Sequence, residues 1–263
     1  MTELSPPAYL DRTGRPRLAY RHVEGTGPTI VFLPGYMSDM EGGKASALFA
    51  WAAAEARACL LLDYAGCGAS EGLFRDQTLL DWRGDVLDLI DAKTSGPVLL
   101  VGSSMGGWLM LLVALMLQAR DGPGRVAGLV GIAAAPDFTD WGFSPEEKAM
   151  ILAAGALIEE TPYGDQPYVT TRAFWQSGEA NRLLGADIAL TCPVRLLHGQ
   201  EDGDVPPEIS LRLSAALASD DVQITLVKGG DHRLSRQGDI ALLIDTVAHL
   251  ATSIPVARAA TPI

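Results

Sequence analysis

Residues 98–107 read Val98-Leu99-Leu100-Val101-Gly102-Ser103-Ser104-Met105-Gly106-Gly107, and an apolar stretch then runs on to Leu117. Four aliphatic residues suited to a strand lead into G-x-S-x-G, and a helical pattern follows at once. A serine at such a strand-to-helix switch sits on a turn so sharp that only small residues fit two positions to either side. The strain lifts the Ser104 hydroxyl into the open. The helix N-terminus just beyond it contributes unpaired N–H groups and the positive end of a dipole, which favour a developing oxyanion. Ser104 is therefore the candidate nucleophile, and the Met105 N–H is the candidate first oxyanion donor.

On either side of this stretch, short β-rich runs alternate with helical ones. Thr29 to Leu33, Cys59 to Asp63, Val126 to Ile132, Val194 to Leu197 and Val222 to Val227 have strand character. Leu48 to Ala56, Leu79 to Ile90, Pro207 to Leu217 and Ile240 to Leu250 have helix character. This rhythm predicts an α/β fold: a mostly parallel sheet covered by helices on both faces, in one domain spanning residues 1–263. It breaks once. From Pro136 to Leu190 the next strand is delayed by a helical, turn-rich stretch containing Phe138, Trp141, Phe143, Tyr163, Tyr168, Phe174 and Trp175. We read 136–190 as a helical lid insertion whose aromatic rings, Trp141 and Trp175 foremost, contact an apolar ligand; the plainer reading is that the rings only glue the insertion to the sheet.

A serine hydroxyl at neutral pH needs a base, usually histidine oriented by a carboxylate, and this chain order runs nucleophile, acid, base. Of the four histidines, His22 precedes Ser104 and falls out. His198 ends a strand before any acid of the next loop and is read as structural. His249 is embedded in a helical run. His232 remains, in Lys228-Gly229-Gly230-Asp231-His232-Arg233, a loop beyond a strand's carboxyl end. For the acid, Asp202 holds the D of H-G-x-x-D-x-x-V-P across residues 198–206, with Asp204 read as a solvated turn residue. Asp137, after the strand Val126 to Ile132, is the rival. The turn in Phe32-Leu33-Pro34-Gly35-Tyr36-Met37 makes the Tyr36 N–H the candidate second oxyanion donor. Asp63-Tyr64-Ala65-Gly66-Cys67-Gly68-Ala69-Ser70 reads as a structural D-x-x-G-x-G-x-S loop in which Cys67 has no base beside it.

Composition narrows the partners. With 32 acidic against 20 basic residues, a net charge of −12 repels phosphate backbones and anionic lipid, so nucleic acid and membrane are not expected partners. No apolar run approaches the ~18 residues that span a bilayer. The three cysteines, Cys59, Cys67 and Cys192, have neither disulfide-framework nor metal-ligand spacing and are read as packing residues. No metal and no cofactor is expected. The first residues, with Glu3 and Asp11 and no apolar run, are read as those of a cytoplasmic protein. Nothing in the sequence bears on oligomeric state.

With these motifs placed, the chain resembles the abhydrolase-domain type 10 branch of the α/β-hydrolase superfamily, palmitoyl-protein thioesterases and acyl-glucuronide esterases. The resemblance rests on FLPGYMSDMEGGKA (residues 32–45), DYAGCGAS (63–70), VGSSMGGWLMLL (101–112), CPVRLLHGQEDGDVP (192–206) and GGDHR (229–233). It weakens in the insertion and at the N-terminus. It implies the α/β-hydrolase fold and a triad of Ser104, Asp202 and His232. The implied enzyme is a serine carboxylesterase or thioesterase acting on a small-molecule ester or thioester or an acylated protein. A cofactor-free haloperoxidase or perhydrolase would use the same triad, and a slow-turnover ligand-sensing receptor could retain it. An aspartate-nucleophile dehalogenase or epoxide hydrolase is disfavoured because residue 104 is serine.

Overall fold

The computed structural model describes residues 6–160 and 167–253; Glu3 and Tyr163, singled out above, lie outside them. The chain opens with β1 (Ala8–Arg12) and β2 (Arg15–Val23), an antiparallel hairpin. There follow β3 (Thr26–Leu33), α1 (Gly43–Ala54), β4 (Arg57–Leu62), α2 (Leu79–Lys93), β5 (Val98–Ser103), α3 (Met105–Asp121) and β6 (Val126–Ile132). The insertion then holds α4 (Phe138–Trp141), α5 (Pro145–Ala154), β7 (Ala156–Glu159), β8 (Tyr168–Thr171) and α6 (Arg172–Glu179). The chain returns to the sheet with β9 (Val194–Gly199), α7 (Glu208–Ala216), β10 (Val222–Val227) and α8 (Gln237–Ser253).

Eight strands form one sheet in the order β1-β2-β4-β3-β5-β6-β9-β10. From β4 to β10 every pairing is parallel. Every residue of β5 and β6 is buried, as expected of parallel strands covered on both faces, where apolar runs are continuous rather than alternating. Leu48 and Ala52 of α1 pack with Leu243 and Val247 of α8 on one face. Trp82 and Val86 of α2, Trp108 and Leu112 of α3 and Leu213 of α7 pack on the other. Two apolar layers therefore sandwich the sheet.

The chain runs outward from β3 to β4 on one side and from β5 to β6 on the other. The strand order thus reverses between β3 and β5, and the crevice at their carboxyl ends is where an open α/β sheet accepts a ligand. Residues 34–42 and Ser104 follow those two ends directly.

Two features depart from the sequence expectation. The β1–β2 hairpin extends the sheet at its edge; β1 is largely exposed and carries Asp11 and Arg12, so no period-2 apolar signal marks it. The 136–190 insertion is not helical throughout, because β7 and β8 pair antiparallel as a separate two-stranded sheet. Each is only four residues long, too short for a periodic signal.

Candidate active site

The elbow is built by close packing of backbone on backbone. A Cβ on Gly102 would lie 2.3 Å from the Gly106 carbonyl oxygen, and one on Gly106 would lie 2.1 Å from that of Leu33. Neither position accepts a larger residue. Ser104 itself has φ 53° and ψ −121°, a strained conformation for a non-glycine residue. The surroundings over-determine it: the Ser104 N–H donates to Ile132 O at 2.9 Å, and Ser104 O accepts from Gly107 N at 2.8 Å and Ala135 N at 3.0 Å.

Glycines also bring the other two loops together. A Cβ on Gly199, at the end of β9, would stand 2.3 Å from Gly230 O beyond β10, and the Glu201 N–H donates to that same carbonyl at 2.8 Å. The loop carrying Asp202 is thereby fastened to the loop carrying His232. His232 Nε2 lies 3.1 Å from Ser104 Oγ, and Nδ1 lies 2.9 Å from Asp202 Oδ2. The Asp202 carboxylate is wholly buried, yet it is saturated with donors. Oδ1 accepts the N–H groups of Asp204 and Val205, both at 2.9 Å, and Oδ2 faces His198 Nε2 at 3.2 Å as well as His232. Burial opposes ionisation, but the hydrogen bonds from His198, His232 and Val205 outweigh it and hold the carboxyl well below its usual range. The structure therefore brings Ser104, Asp202 and His232 into one hydrogen-bonded run.

Asp137 does not join it. Its two oxygens accept the N–H groups of Leu183 and Leu184, both at 2.7 Å, so this buried carboxylate pins the return of the insertion. His22 lies on β2 near Glu24, and His249 lies on α8. Burial pushes the Cys67 thiol up to about 12, which leaves no thiolate at neutral pH.

Met105 and Tyr36 border Ser104 in the same cavity. Among the described residues neither backbone N–H has a hydrogen-bond acceptor. The Tyr36 loop is held from below, because the Tyr64 hydroxyl donates to Pro34 O at 3.0 Å and Asp63 accepts the Met40 and Ala69 N–H groups at 2.7 and 2.8 Å. Gly68 has to be glycine there, since its Cβ would fall 2.2 Å from Asp63 Oδ2.

The cavity over Ser104 measures about 550 Å³, within the ~300–1,000 Å³ typical of small-molecule sites. Met37, Phe138, Trp141, Phe143 and Tyr168 give it an apolar wall, and Lys44, Glu159 and Arg233 supply charge. Trp141 is in the lining, its indole N–H donating to Pro136 O at 2.8 Å. Trp175 is not. Its indole N–H donates to Thr139 O at 3.0 Å, and the ring joins α6 to α4, so the structure does not bring this residue to the cavity.

Sequence reasoning missed two residues and one clustering. His198 was set aside because it precedes the acid in chain order, a rule that concerns the base alone. Lys44, whose ammonium burial lowers to about 8, stands at the cavity; it falls within the 32–45 stretch, but nothing there assigned it a role. Asp202, Asp204 and His232 offer ligand atoms within 4.8 Å of one another, a clustering that spacing along the chain did not suggest.

A model described as the alpha/beta hydrolase family matches residues 30–250. Human palmitoyl-protein thioesterase ABHD10, mitochondrial, is 39% identical over 247 residues, covering 92% of this chain and 79% of that protein. The Mus musculus protein of the same name is 40% identical over 256 residues, covering 94% and 84%. The solved structure of mouse alpha/beta hydrolase domain-containing protein 10 superposes with a TM-score of 0.86 at 37% identity, covering 95% of this chain and 99% of that one. A hydrolase structure from Agrobacterium vitis S4 superposes at 0.87 and 37%, covering 93% and 97%. The cytoplasmic expectation is overturned here, because the human and mouse relatives are named as mitochondrial proteins. The composition of a few N-terminal residues is a weaker guide than similarity along most of the chain.

Proposed function

Because the chain belongs to the α/β-hydrolase family and is a hydrolytic enzyme of the ester and thioester type, we propose that it works through an acyl-enzyme on Ser104. His232 is the base and Asp202 the carboxylate that orients it. The observation that carries this reading is the hydrogen-bonded run from Ser104 Oγ through both nitrogens of His232 to Asp202 Oδ2, at 3.1 and 2.9 Å.

His232 Nε2 takes the Ser104 proton as Oγ bonds to the substrate carbonyl carbon. Asp202 fixes the tautomer with the proton on Nδ1 and stabilises the imidazolium that forms. The carbonyl oxygen becomes an oxyanion facing the N–H groups of Met105 and Tyr36, donors already oriented before charge develops. The imidazolium then protonates the departing thiol or alcohol as the tetrahedral intermediate collapses. Water, deprotonated by His232, releases the acid by the reverse sequence.

The insertion forms a lid over this centre, with its apolar wall supplying the acyl pocket. The likeness to proteins named palmitoyl-protein thioesterases supports a substrate that is an acyl thioester or ester, either a small molecule or an acylated protein. Fluorophosphonate labelling combined with pre-steady-state hydrolysis of p-nitrophenyl esters and a palmitoyl thioester tests the proposal. One equivalent of label on Ser104 and a burst of the same size are expected. Turnover without labelling would overturn it.

A further inference from the structure

The mechanism above leaves His198 without a role, although it is a fully enclosed titratable group beside Asp202. It is fully buried at the end of β9, and each ring nitrogen has a defined neighbour. Nε2 lies 2.9 Å from Val205 O and 3.2 Å from Asp202 Oδ2. A carbonyl and a carboxylate can only accept, so Nε2 carries the proton. Nδ1 lies 2.7 Å from Ser210 Oγ on α7, whose hydroxyl can donate to it. The neutral ring with its proton on Nε2 therefore satisfies every partner.

This arrangement sets a second imidazole N–H, bonded to Val205 O, with its nitrogen 3.2 Å from the very oxygen that His232 uses. Val205 closes the figure: its N–H holds Asp202 Oδ1 and its C=O holds His198 Nε2. Packing alone would need a ring of that size, but not a polar N–H edge set between Val205 O and Asp202 Oδ2. Resting on the role proposed above for Asp202, we infer that His198 is a positioning residue which locks the Asp202 carboxylate in one rotamer and shares its charge. His198 thereby sets how strongly Asp202 holds the proton on His232.

The direction of the effect follows from electrostatics. Taking away the His198 donor leaves more negative charge on Oδ2, which stabilises imidazolium at His232. The acid limb of kcat/KM reports deprotonation of the free base, so that limb moves to higher pH. Other charged groups also stand around the pair. Glu201 and Asp204 come from the Asp202 loop, Asp231 and Arg233 flank His232, and Lys44 of α1 reaches the Arg233 carbonyl. All of them stay in place when residue 198 alone is changed.

The test compares His198→Leu, which fills space without a donor, with His198→Gln, whose amide nitrogen can occupy the Nε2 position. Rates are expressed per fluorophosphonate-labelled site, so that misfolded protein drops out. The Leu variant is expected to shift the acid limb upward by roughly 0.5 to 1 pH unit, with kcat falling on the order of tenfold. The Gln variant is expected to return most of both. Coincident limbs for wild type and both variants, or equal shifts in both, would overturn the positioning role. Loss of labelling in the wild type itself would instead overturn the nucleophile assignment. Nitrogen-15 histidine NMR of the wild-type enzyme gives a reading that needs no variant to fold. His198 is expected to show a slowly exchanging proton on Nε2, displaced when Asp202→Asn is introduced. A proton on Nδ1 would overturn the inference.

Discussion

The Tyr36 hydroxyl donates to the Val169 carbonyl at 2.7 Å, tying the loop after β3 to strand β8 of the insertion. The ring is packed against Phe74, Trp82, Phe138, Tyr168 and Phe174, with centroids 5.1 to 6.1 Å away. One residue thus borders the cavity beside Ser104 and ties its side chain to the insertion. Tyr36→Phe keeps the ring and the N–H and removes only the tie. It is expected to cost about 1 kcal/mol of stability, seen as a melting temperature lower by roughly 3 °C, with labelling of Ser104 retained. Identical melting curves would mean that the bond contributes nothing.

Ser104→Ala is expected to lose both fluorophosphonate labelling and esterase activity, since only an activated serine is phosphonylated. Asp202→Asn should preserve the fold while lowering kcat by about 10⁴-fold, because an amide favours the wrong histidine tautomer. Asp137→Asn should act differently. It weakens the acceptor for the Leu183 and Leu184 N–H groups, so the insertion is loosened and the melting temperature falls more than the rate per labelled site. A rate loss in Asp137→Asn matching that of Asp202→Asn would move the acid to the earlier strand.

The sheet and the elbow were legible in the sequence because their signals are local. Apolar runs such as residues 98–101 and 126–132 read as buried strands, and Gly102 and Gly106 are dictated by contacts at 2.3 and 2.1 Å within the turn and with the neighbouring strand. Asp202 and His232 could be singled out because strand ends and chain order restrict the candidates, and the structure sets the two side chains 2.9 Å apart. The remainder depends on tertiary encounter. Nothing local says that Trp141 faces the cavity while Trp175, also on a short helix, bonds Thr139. Likewise, His198 becomes Asp202's neighbour only through the fold of the 199–205 loop. The hairpin β7–β8 was hidden by its shortness, and localisation was read from a segment too small to carry it.

Burial raises the Asp63 carboxyl to about 6, against the hydrogen bonds from the Ala69 and Met40 N–H groups that favour its ionised form. A carboxyl whose folded pKa lies above its unfolded one binds protons more readily in the native state, so its contribution to stability grows as pH falls toward about 4 and is lost as pH rises through 6. Asp63→Asn removes this titration. The stability of wild type relative to the variant is expected to increase by about 1 kcal/mol between pH 7.5 and 5, measured by urea unfolding at each pH. Parallel pH curves would show that Asp63 ionises normally in the folded protein.

Although Asp202, Asp204 and His232 have ligand atoms within 4.8 Å of one another, Asp202 has little capacity left for a cation. Backbone N–H groups occupy Oδ1, and imidazole nitrogens occupy Oδ2. A metal would have to displace the hydrogen bond that orients His232. Activity is therefore expected to be unchanged by EDTA, and millimolar zinc should inhibit if it acts at all. Loss of rate on chelation, restored by added metal, would reverse this assignment.

Selectivity for acyl chain length should depend on Trp141 and not on Trp175. Both are half-buried indoles in the insertion with bonded N–H groups, but only Trp141 lines the cavity beside Phe138 and Phe143. Each methylene buried against such a wall contributes at most ~0.8 kcal/mol, or roughly fourfold in kcat/KM. Replacing Trp141 by Ala removes part of that wall and should flatten the rise of log kcat/KM across p-nitrophenyl esters of increasing length. Trp175→Ala should leave the slope as it is and lower thermal stability instead, because its ring joins α6 to α4 through Thr139. Labelling of Ser104 serves as the control for an intact centre in both. A flattened slope in Trp175→Ala together with an unchanged one in Trp141→Ala would place the acyl chain on the other side of the insertion.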